Sequence, residues 1–242
     1  YDAFLVDQFG VLRDGHGPYP FAAETLQRLK DAGKQVVLLS NSGKRSKEND
    51  KRLVALGFNG GSWDLFLTSG EVAYEIMRDN FAQSGERPKR CLLINRDDDL
   101  SPIAGLDIDR AQDGATADII LIAGSEPEKL SLRDYEAILR PAAERGVAAL
   151  CTNPDRHMLT KQGLMFGAGQ IAELYQSMGA TVRFIGKPYP DIYQHALRFL
   201  GNPDTRRVCA IGDSVEHDIA GAVHSGIQSI LVTTGILERS TD

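Results

Sequence analysis

Six polar residues suited to phosphoryl chemistry come from widely separated parts of the chain. Each lies at or shortly after the end of a short apolar run, where a buried strand would end. Because the carboxyl ends of parallel strands form one edge of an open sheet, we expect these side chains to converge there. The six residues are Asp7, Ser40, Asn41, Lys187, Asp213 and Asp218.

The chemistry of these side chains is mutually consistent. The carboxylates of Asp7, Asp213 and Asp218 provide the hard oxygen ligands that Mg²⁺ prefers. Lys187 and a serine hydroxyl suit the oxygens of a phosphate, and phosphoryl transfer depends mainly on positioning and charge neutralisation. An aspartate such as Asp7 can itself attack phosphorus. The pattern therefore predicts a magnesium-dependent site that acts on a phosphorylated compound.

Alternating apolar runs and helix-period segments must position these residues. We predict strands at 3–6, 35–39, 65–67, 91–94, 119–122, 147–151, 182–185, 208–211 and 229–232, and helices at 22–32, 47–56, 71–81, 131–144, 168–178, 191–200 and 217–224. This alternation predicts an α/β fold with parallel sheets covered by helices. The uninterrupted apolar runs VVLL and IILI are typical of strands buried on both faces.

The polar stretch 82–90 contains Gly and Pro and predicts a crossing between two domains. A weaker polar break lies near 178–181. We therefore expect a doubly wound, Rossmann-like core formed by residues 1–84 and 181–242, with a smaller α/β domain formed by residues 85–180 inserted into it.

Composition limits the class of protein further. The 242 residues carry a formal net charge of −6, which argues against nonspecific nucleic-acid binding. Apolar runs stay well below 18 residues, so we expect no membrane span, and cytoplasm is the default expectation. Each of the three cysteines lies in or beside an apolar run, which indicates buried free thiols in a reducing compartment.

Four motifs occur in order along the chain: residues 4–12 (FLVDQFGVL), 39–42 (LSNS), 186–188 (GKP) and 212–219 (GDSVEHDI). Together they resemble the motifs of the haloacid dehalogenase (HAD) superfamily. Residues 151–157 (CTNPDRH) and 167–169 (GAG) resemble segments of the class IIA, or C2-capped, sugar-phosphatase-like branch. The resemblance covers nearly the whole chain. Four motifs in order, with an insert of suitable size, are far more specific than any one of them.

The resemblance implies a role for each of these residues. Asp7 would be the nucleophile and a Mg²⁺ ligand, together with the backbone carbonyl of Phe9, Asp213 and the supporting carboxylate of Asp218. Ser40 and Asn41 would bind the phosphoryl group, and Lys187 would neutralise its charge. The C2-type cap would select the leaving group, with Asn153, Asp155 and His157 facing the substrate. The expected substrate is a small phosphorylated metabolite such as a sugar phosphate, and a homodimer is expected by analogy.

One position departs from the family pattern. Phosphatases of the family carry a second aspartate two residues after the nucleophile, where it moves a proton, and this chain has Phe9 there. General acid–base help is worth about 10²- to 10⁴-fold in rate. Three interpretations stay open: His16, Asp14 or His157 supplies the proton; the leaving group, as in an acyl phosphate, needs no acid; or the protein binds a phosphorylated ligand with little or no turnover.

Local structure offers alternative explanations for several of these residues. Asn153 and Asp155 could form an Asx turn around Pro154, and Ser40 could cap a following helix. Lys187 alone would suit a solvated surface. Only one expected group is missing, the aspartate that Phe9 replaces, while Asp7, Lys187, Asp213 and Asp218 are all present. This pattern favours an enzyme over a regulator that only binds a phosphorylated ligand.

Overall fold

The computed structural model describes residues 1–84, 90–160 and 162–233. In chain order its strands and helices are β1 (Ala3–Asp7), α1 (Ala22–Asp31), β2 (Gln35–Ser40), α2 (Ser46–Ala55), β3 (Leu65–Thr68), α3 (Ser69–Ser84), β4 (Arg90–Ile94), β5 (Asp109–Arg110), β6 (Ile119–Ile122), α4 (Leu132–Glu144), β7 (Ala149–Cys151), β8 (His157–Thr160), β9 (Gly163–Phe166), α5 (Ala168–Ser177), β10 (Val182–Phe184), α6 (Pro190–Phe199), β11 (Val208–Gly212), α7 (Ala220–His224) and β12 (Gln228–Leu231).

These elements form two compact units. The first comprises Tyr1–Ser40, Ser46–Thr68 and the chain from Gly186 onward, and the second comprises Asn41–Arg45 and Ser69–Ile185. Each unit has its own parallel five-stranded sheet. The α/β fold with an inserted second unit confirms the predicted fold class.

The sheet of the first unit has the strand order β12-β11-β1-β2-β3, and all of its described pairings are parallel. Asp7 pairs with Leu39 of β2, and Val6 pairs with Ile211 of β11. Asp7, Ser40 and the residues after Ile211 therefore reach the same edge of the sheet. The apolar run 36–39 of β2 is fully buried, as expected for a strand covered on both faces.

A polar tie joins α1, β2 and β3 in this unit. Asp64, just before β3, accepts hydrogen bonds from Lys30 Nζ at 2.6 and 2.7 Å and from the Val36 N–H at 2.7 Å. Burial alone would raise the pKa of Asp64, but Lys30 and the backbone N–H outweigh it and lower the pKa.

The sheet of the second unit has the order β10-β7-β6-β4-β5, and β8 and β9 form a separate antiparallel hairpin. Its core packs Leu139 of α4 and Tyr175 of α5 against the sheet. Helix α4 begins with a capping box, in which Ser131 Oγ accepts from the Asp134 N–H and Asp134 accepts from the Ser131 N–H. Such reciprocal bonds satisfy two N–H groups that a helix start leaves unpaired.

The compact units differ from the predicted domain boundaries in two places. Strand β10 was expected to open the second part of the core, but it pairs with β7. Helix α3 was expected to close the first part, but it belongs to the second unit. The predicted crossing at 82–90 falls largely on 85–89, which lie outside the described residues. A polar stretch in the sequence indicates where a helix or strand ends. Which of the two sheets the next strand joins depends on its pairing partner, and the sequence near the strand does not identify that partner.

Three short strands were not predicted: β5, β8 and β9. Strand β5 has two exposed charged residues, and the described residues of β8 and β9 do not alternate cleanly between apolar and polar. These strands have weak sequence patterns, and each is defined by hydrogen bonds to the strand beside it. Among the described helices, none is both long and apolar enough to span a bilayer.

Candidate active site

Three aspartates meet at the carboxyl edge of the first sheet. Asp7 ends β1, Asp213 directly follows β11, and Asp218 lies in a π-helical turn, Val215–Ile219. One carboxylate oxygen from each lies within 4.8 Å of the others. All three side chains are buried, with residue exposures of 8%, 2% and 5%. The predicted convergence of these three residues is present in the structure.

Lys187 lies between two of these carboxylates. It follows Gly186, which begins the return of the chain to the first unit, and it is only 4% exposed. Its ammonium donates to Asp7 Oδ1 and, at 2.7 Å, to Asp218 Oδ1. A surface role for this lysine, one of the alternatives from sequence, is therefore excluded by its burial.

Positive charge stabilises the ionised form of this buried carboxylate cluster. Burial is the main reason that the pKa of Asp7 is raised to about 8; Lys187 opposes this rise, while Asp218 and Asp213 add to it. Burial alone would lower the pKa of Lys187, but the neighbouring carboxylates raise it above its ordinary value, so Lys187 is a permanent cation. A divalent cation would lower the pKa of Asp7 by the same attraction.

The donor set fits Mg²⁺. Asp7, Asp213 and Asp218 bring three negative charges and Lys187 one positive charge, so the buried cluster carries a net charge of two minus when all four are ionised. The available ligands are oxygens. Hard divalent cations prefer oxygen ligands, whereas softer transition metals favour nitrogen and sulfur ligands. Asp7 and Asp213 with the Phe9 carbonyl could hold such an ion, and Asp218 would support it.

Two glycines permit this crowding. Gly10 has φ +95°, and a Cβ atom there would lie 2.1 Å from Asp213 Oδ2. A Cβ on Gly212 would lie 2.1 Å from the Asp218 carboxyl carbon. Only residues without a side chain let the carboxylates approach the backbone so closely. The contact between Gly10 and Asp213 depends on the fold, because the two residues lie near opposite ends of the chain.

Asp218 is held from several directions. Its Oδ2 accepts from the Ser214 N–H at 3.2 Å, and its own N–H donates to the Ser214 carbonyl at 2.9 Å. The hydroxyl of Tyr193 on α6 donates to the Asp218 carbonyl at 3.3 Å. With Oδ1 engaged by Lys187, Asp218 is well placed to orient that ammonium. Tyr193 and Ser214 were missed from sequence because their types suit many helix starts and cores.

Phe9 occupies the position of the expected proton-transferring aspartate. Phe9 is 46% exposed as a residue, and the Arg13 guanidinium lies 5.4 Å from the centroid of its ring. With its carboxamide oxygen turned toward the guanidinium, buried Gln8 accepts from Arg13 Nε at 2.6 Å. The first loop thus presents an aromatic face backed by a cation.

Two of the suggested substitute proton donors share a tight turn after β1. Asp14 Oδ1 accepts from the backbone N–H groups of His16 at 2.7 Å and of Gly17 at 3.1 Å. This is a structural role for the Asp14 carboxylate. His16 itself is exposed.

Ser40 is buried at the end of β2 in the first unit, whereas Asn41, Asn153, Asp155 and His157 belong to the second unit. Asn41 Nδ2 donates to Asp155 Oδ1 at 2.9 Å, and Asn153 Oδ1 accepts from the Asp155 N–H at 3.1 Å, which forms the predicted Asx turn around Pro154. His157 is exposed at the start of β8. The Asx turn and the substrate-facing role predicted for Asn153 and Asp155 are compatible.

Known proteins share both the fold and the sequence pattern. A profile of haloacid dehalogenase-like hydrolases matches residues 4–109, and a HAD-hydrolase-like profile matches residues 184–242, which together cover well over half of the chain. The 5′-nucleotidase YutF of Bacillus subtilis is 26% identical over 99% of this chain and 90% of its own length.

Solved structures of haloacid dehalogenase-like proteins share this fold. A haloacid dehalogenase-like hydrolase from Brucella suis superposes with a TM-score of 0.85 at 27% identity, covering 98% of this chain and 90% of that one. A p-nitrophenyl phosphatase from Archaeoglobus fulgidus gives 0.76 at 25% identity, covering 99% and 89%.

An α/β sheet with a carboxylate cluster at its carboxyl edge, two matching profiles and these relatives define the class of protein: a phosphoric monoester hydrolase. The chain belongs to the HAD superfamily, in its class IIA, sugar-phosphatase-like branch.

Proposed function

We propose that this chain hydrolyses a small phosphorylated metabolite, with sugar phosphates among the candidates, in a Mg²⁺-dependent reaction through an aspartyl-phosphate on Asp7. The observation that carries the proposal is the buried cluster in which Asp7, Asp213, Asp218 and Lys187 meet at one sheet edge. A purely structural cluster of this kind would carry a large desolvation cost without a matching function.

The chemistry would proceed in two displacements. A carboxylate oxygen of Asp7 attacks phosphorus, the bond from phosphorus to the leaving oxygen breaks, and the leaving group departs with that electron pair. Water then attacks phosphorus, the bond to Asp7 breaks, and inorganic phosphate and the free carboxylate result. Lys187 and the residues Ser40 and Asn41 would hold the phosphoryl oxygens. Bound Mg²⁺ would supply charge neutralisation for those oxygens.

Phe9 limits how the leaving oxygen of the substrate can be protonated. A phenyl ring cannot protonate a leaving oxygen, so either another group donates the proton or the leaving group departs as a stable anion, as from an acyl phosphate. The exposed Phe9 ring provides apolar surface in place of a proton donor, which is compatible with the second case.

The same residue motivates a second candidate function. A protein that keeps the metal site and phosphate-binding residues but lacks the proton-transferring aspartate could bind a phosphorylated ligand as a regulator with little turnover. The intact cluster around Asp7 argues for the enzyme, because a binding protein does not need its nucleophile.

A substrate screen separates the two functions. We would test sugar phosphates, nucleotides, acyl phosphates and p-nitrophenyl phosphate with Mg²⁺ or EDTA, using wild type, Asp7→Asn and Phe9→Asp. Turnover that requires Asp7 and Mg²⁺ is expected. Ligand-induced stabilisation by phosphorylated compounds without turnover of any of them would overturn the enzyme and favour the regulator.

Phe9→Asp tests the missing proton transfer. We expect its rate on poor leaving groups such as sugar phosphates to rise by about 10²- to 10⁴-fold, with little gain on acyl phosphates. Phe199→Asp is the matched control, because Phe199 ends α6 of the same unit and is 47% exposed against 46% for Phe9. Equal gains for all leaving groups would contradict this role for position 9. A wild type that already hydrolyses sugar phosphates well would point to another acid, and His16→Ala, Asp14→Asn and His157→Ala would locate it.

A further inference from the structure

A hydrogen bond links a proposed phosphate-binding residue to a turn far away in sequence. Asn41 directly follows β2, and its Nδ2 donates to Asp155 Oδ1 at 2.9 Å across 114 positions of the chain. Both side chains are half-buried within the second unit. The resemblance assigned Asp155 to substrate contact, whereas this bond gives it a partner within the protein.

Asp155 is held on a rigid frame. The Asx turn with Asn153 fixes its backbone, and the start of α5 packs directly against the same turn. A Cβ on Gly167 would lie 2.2 Å from the Asp155 carbonyl oxygen, and one on Gly169 would lie 2.2 Å from that of Pro154. The Gly169 N–H also donates to the Asp155 carbonyl at 3.1 Å. The carboxylate therefore projects from a backbone that packing and hydrogen bonds both fix.

The segment that carries Asn41 is equally constrained. A Cβ on Gly43 would lie 1.9 Å from the Ala123 carbonyl oxygen, so this backbone is packed against the loop after β6. The Gly70 N–H donates to the Ser42 carbonyl at 3.1 Å. Arg45 forms a two-pronged ion pair with Glu71 at 2.7 and 2.8 Å. Two fixed backbones thus impose the geometry of the Asn41–Asp155 bond.

The chemistry of the pair sets its polarity. A carboxylate only accepts hydrogen bonds, so Asp155 forces the nitrogen of the Asn41 carboxamide to face it and prevents the amide from turning over. If the second hydrogen of Asn41 Nδ2 faces the phosphoryl group, a turned amide would replace that donor with an acceptor. We propose that Asp155 is a positioning residue that fixes the orientation of the Asn41 carboxamide for the phosphoryl group. This inference rests on the proposed phosphate binding at Ser40 and Asn41.

The test is a double-mutant cycle with Asn41→Ala, Asp155→Asn and the double variant in the full chain. Asp155→Asn keeps the size of the side chain but lets the pair hydrogen-bond in either orientation. The readouts are KM and kcat on p-nitrophenyl phosphate and inhibition by orthovanadate, which mimics the phosphoryl group and has no leaving group. Arg156→Ala is the control, because it removes an exposed ion pair with Glu173 beside the same turn.

We expect Asp155→Asn to raise KM and the vanadate inhibition constant together by about tenfold, the value of one well-placed hydrogen bond, with kcat changed much less. Asp155→Asn should add nothing further in the Asn41→Ala background. The Arg156→Ala variant should match wild type in every readout.

The opposite pattern would overturn the inference. If Asp155 contacts the leaving group, vanadate inhibition stays unchanged and the effects of the two substitutions add. Thermal unfolding of each variant shows whether a loss reflects misfolding, and a rise in KM that tracks lost stability in all variants also counts against positioning. If wild type shows no turnover, vanadate binding measured by calorimetry replaces kinetics: coupled losses support positioning although the proposed hydrolysis fails, and absence of vanadate binding refutes both.

Discussion

Replacing Gly10 by alanine should disable the proposed Mg²⁺ site by displacing Asp213. The new Cβ would lie 2.1 Å from Asp213 Oδ2, and non-bonded heavy atoms approach favourably only at about 3.5 Å. The carboxylate must therefore retreat by about 1 Å or more, although Asp213 is only 2% exposed and tightly surrounded. A misplacement of about 1 Å in a catalytic constellation can cost about 10²-fold in rate.

The backbone adds a separate cost to this substitution. Gly10 has φ +95°, where a residue with a Cβ atom loses roughly 1–2 kcal/mol. Gly57, which follows α2, has φ +96°, and a Cβ atom there would meet no heavy atom of the described residues within 4 Å, its chain neighbours aside. Gly57→Ala is therefore a matched control, since it imposes the same backbone strain without touching a carboxylate.

Two assays separate the effects. Urea unfolding should show a loss of roughly 1–2 kcal/mol or more for Gly10→Ala and a similar loss for Gly57→Ala. Mg²⁺-dependent thermal stabilisation should be lost, and p-nitrophenyl phosphate hydrolysis should fall about 10²-fold or more, only for Gly10→Ala. If Gly10→Ala keeps its Mg²⁺ response, or if Gly57→Ala loses it equally, the close packing of Gly10 on Asp213 does not shape the site.

Three further substitutions or reactions test other parts of the structure. Lys187→Met leaves buried carboxylates without their cation, so unfolding by urea at pH 8 should show a loss of about 3–5 kcal/mol, and a loss below about 1 kcal/mol would contradict the buried pairing. Asp64→Asn should lose roughly 0.5–1 kcal/mol at pH 7 by removing the pair with Lys30. Because the folded state lowers the pKa of Asp64, that difference should be complete above about pH 5 and shrink as the pH falls through the unfolded and then the lowered folded pKa, and a difference that stays constant as the pH falls from about 5 to about 2 would refute it. Burial raises the pKa of Cys91 and of Cys151 to about 12, so Ellman's reagent at pH 8 should label neither thiol until denaturant is added.

Much of the first unit follows from local sequence. Apolar runs such as 36–39 are typical of parallel strands buried on both faces of a sheet, and the polar residues that follow such strands lie at its carboxyl edge. The order of residues along the chain therefore predicts Asp7, Ser40 and Asp213 at one edge. The predicted strands and helices match the structure within a few residues, because each has a strong apolar period of its own.

Other features needed long-range information. Strand β10 looks like any apolar strand, and only its pairing with β7 assigns it to the second unit. Strands β8 and β9 have weak patterns and depend on each other. Local sequence cannot show which sheet edge a strand will join, since that choice depends on the packing of the whole unit.

The sequence alone determined the chemical inventory of this protein: the aspartate proposed as nucleophile, further carboxylates suited to a divalent cation, a lysine, and a phenylalanine where the family pattern has a second aspartate. Residue type and order along the chain are enough for that. Only the tertiary structure decided how these groups act on one another: Lys187 between Asp7 and Asp218, Gly10 against Asp213, and Asp155 on Asn41. The Lys187–Asp7 contact alone spans 180 positions of the chain, and packing brings its two groups within hydrogen-bonding distance.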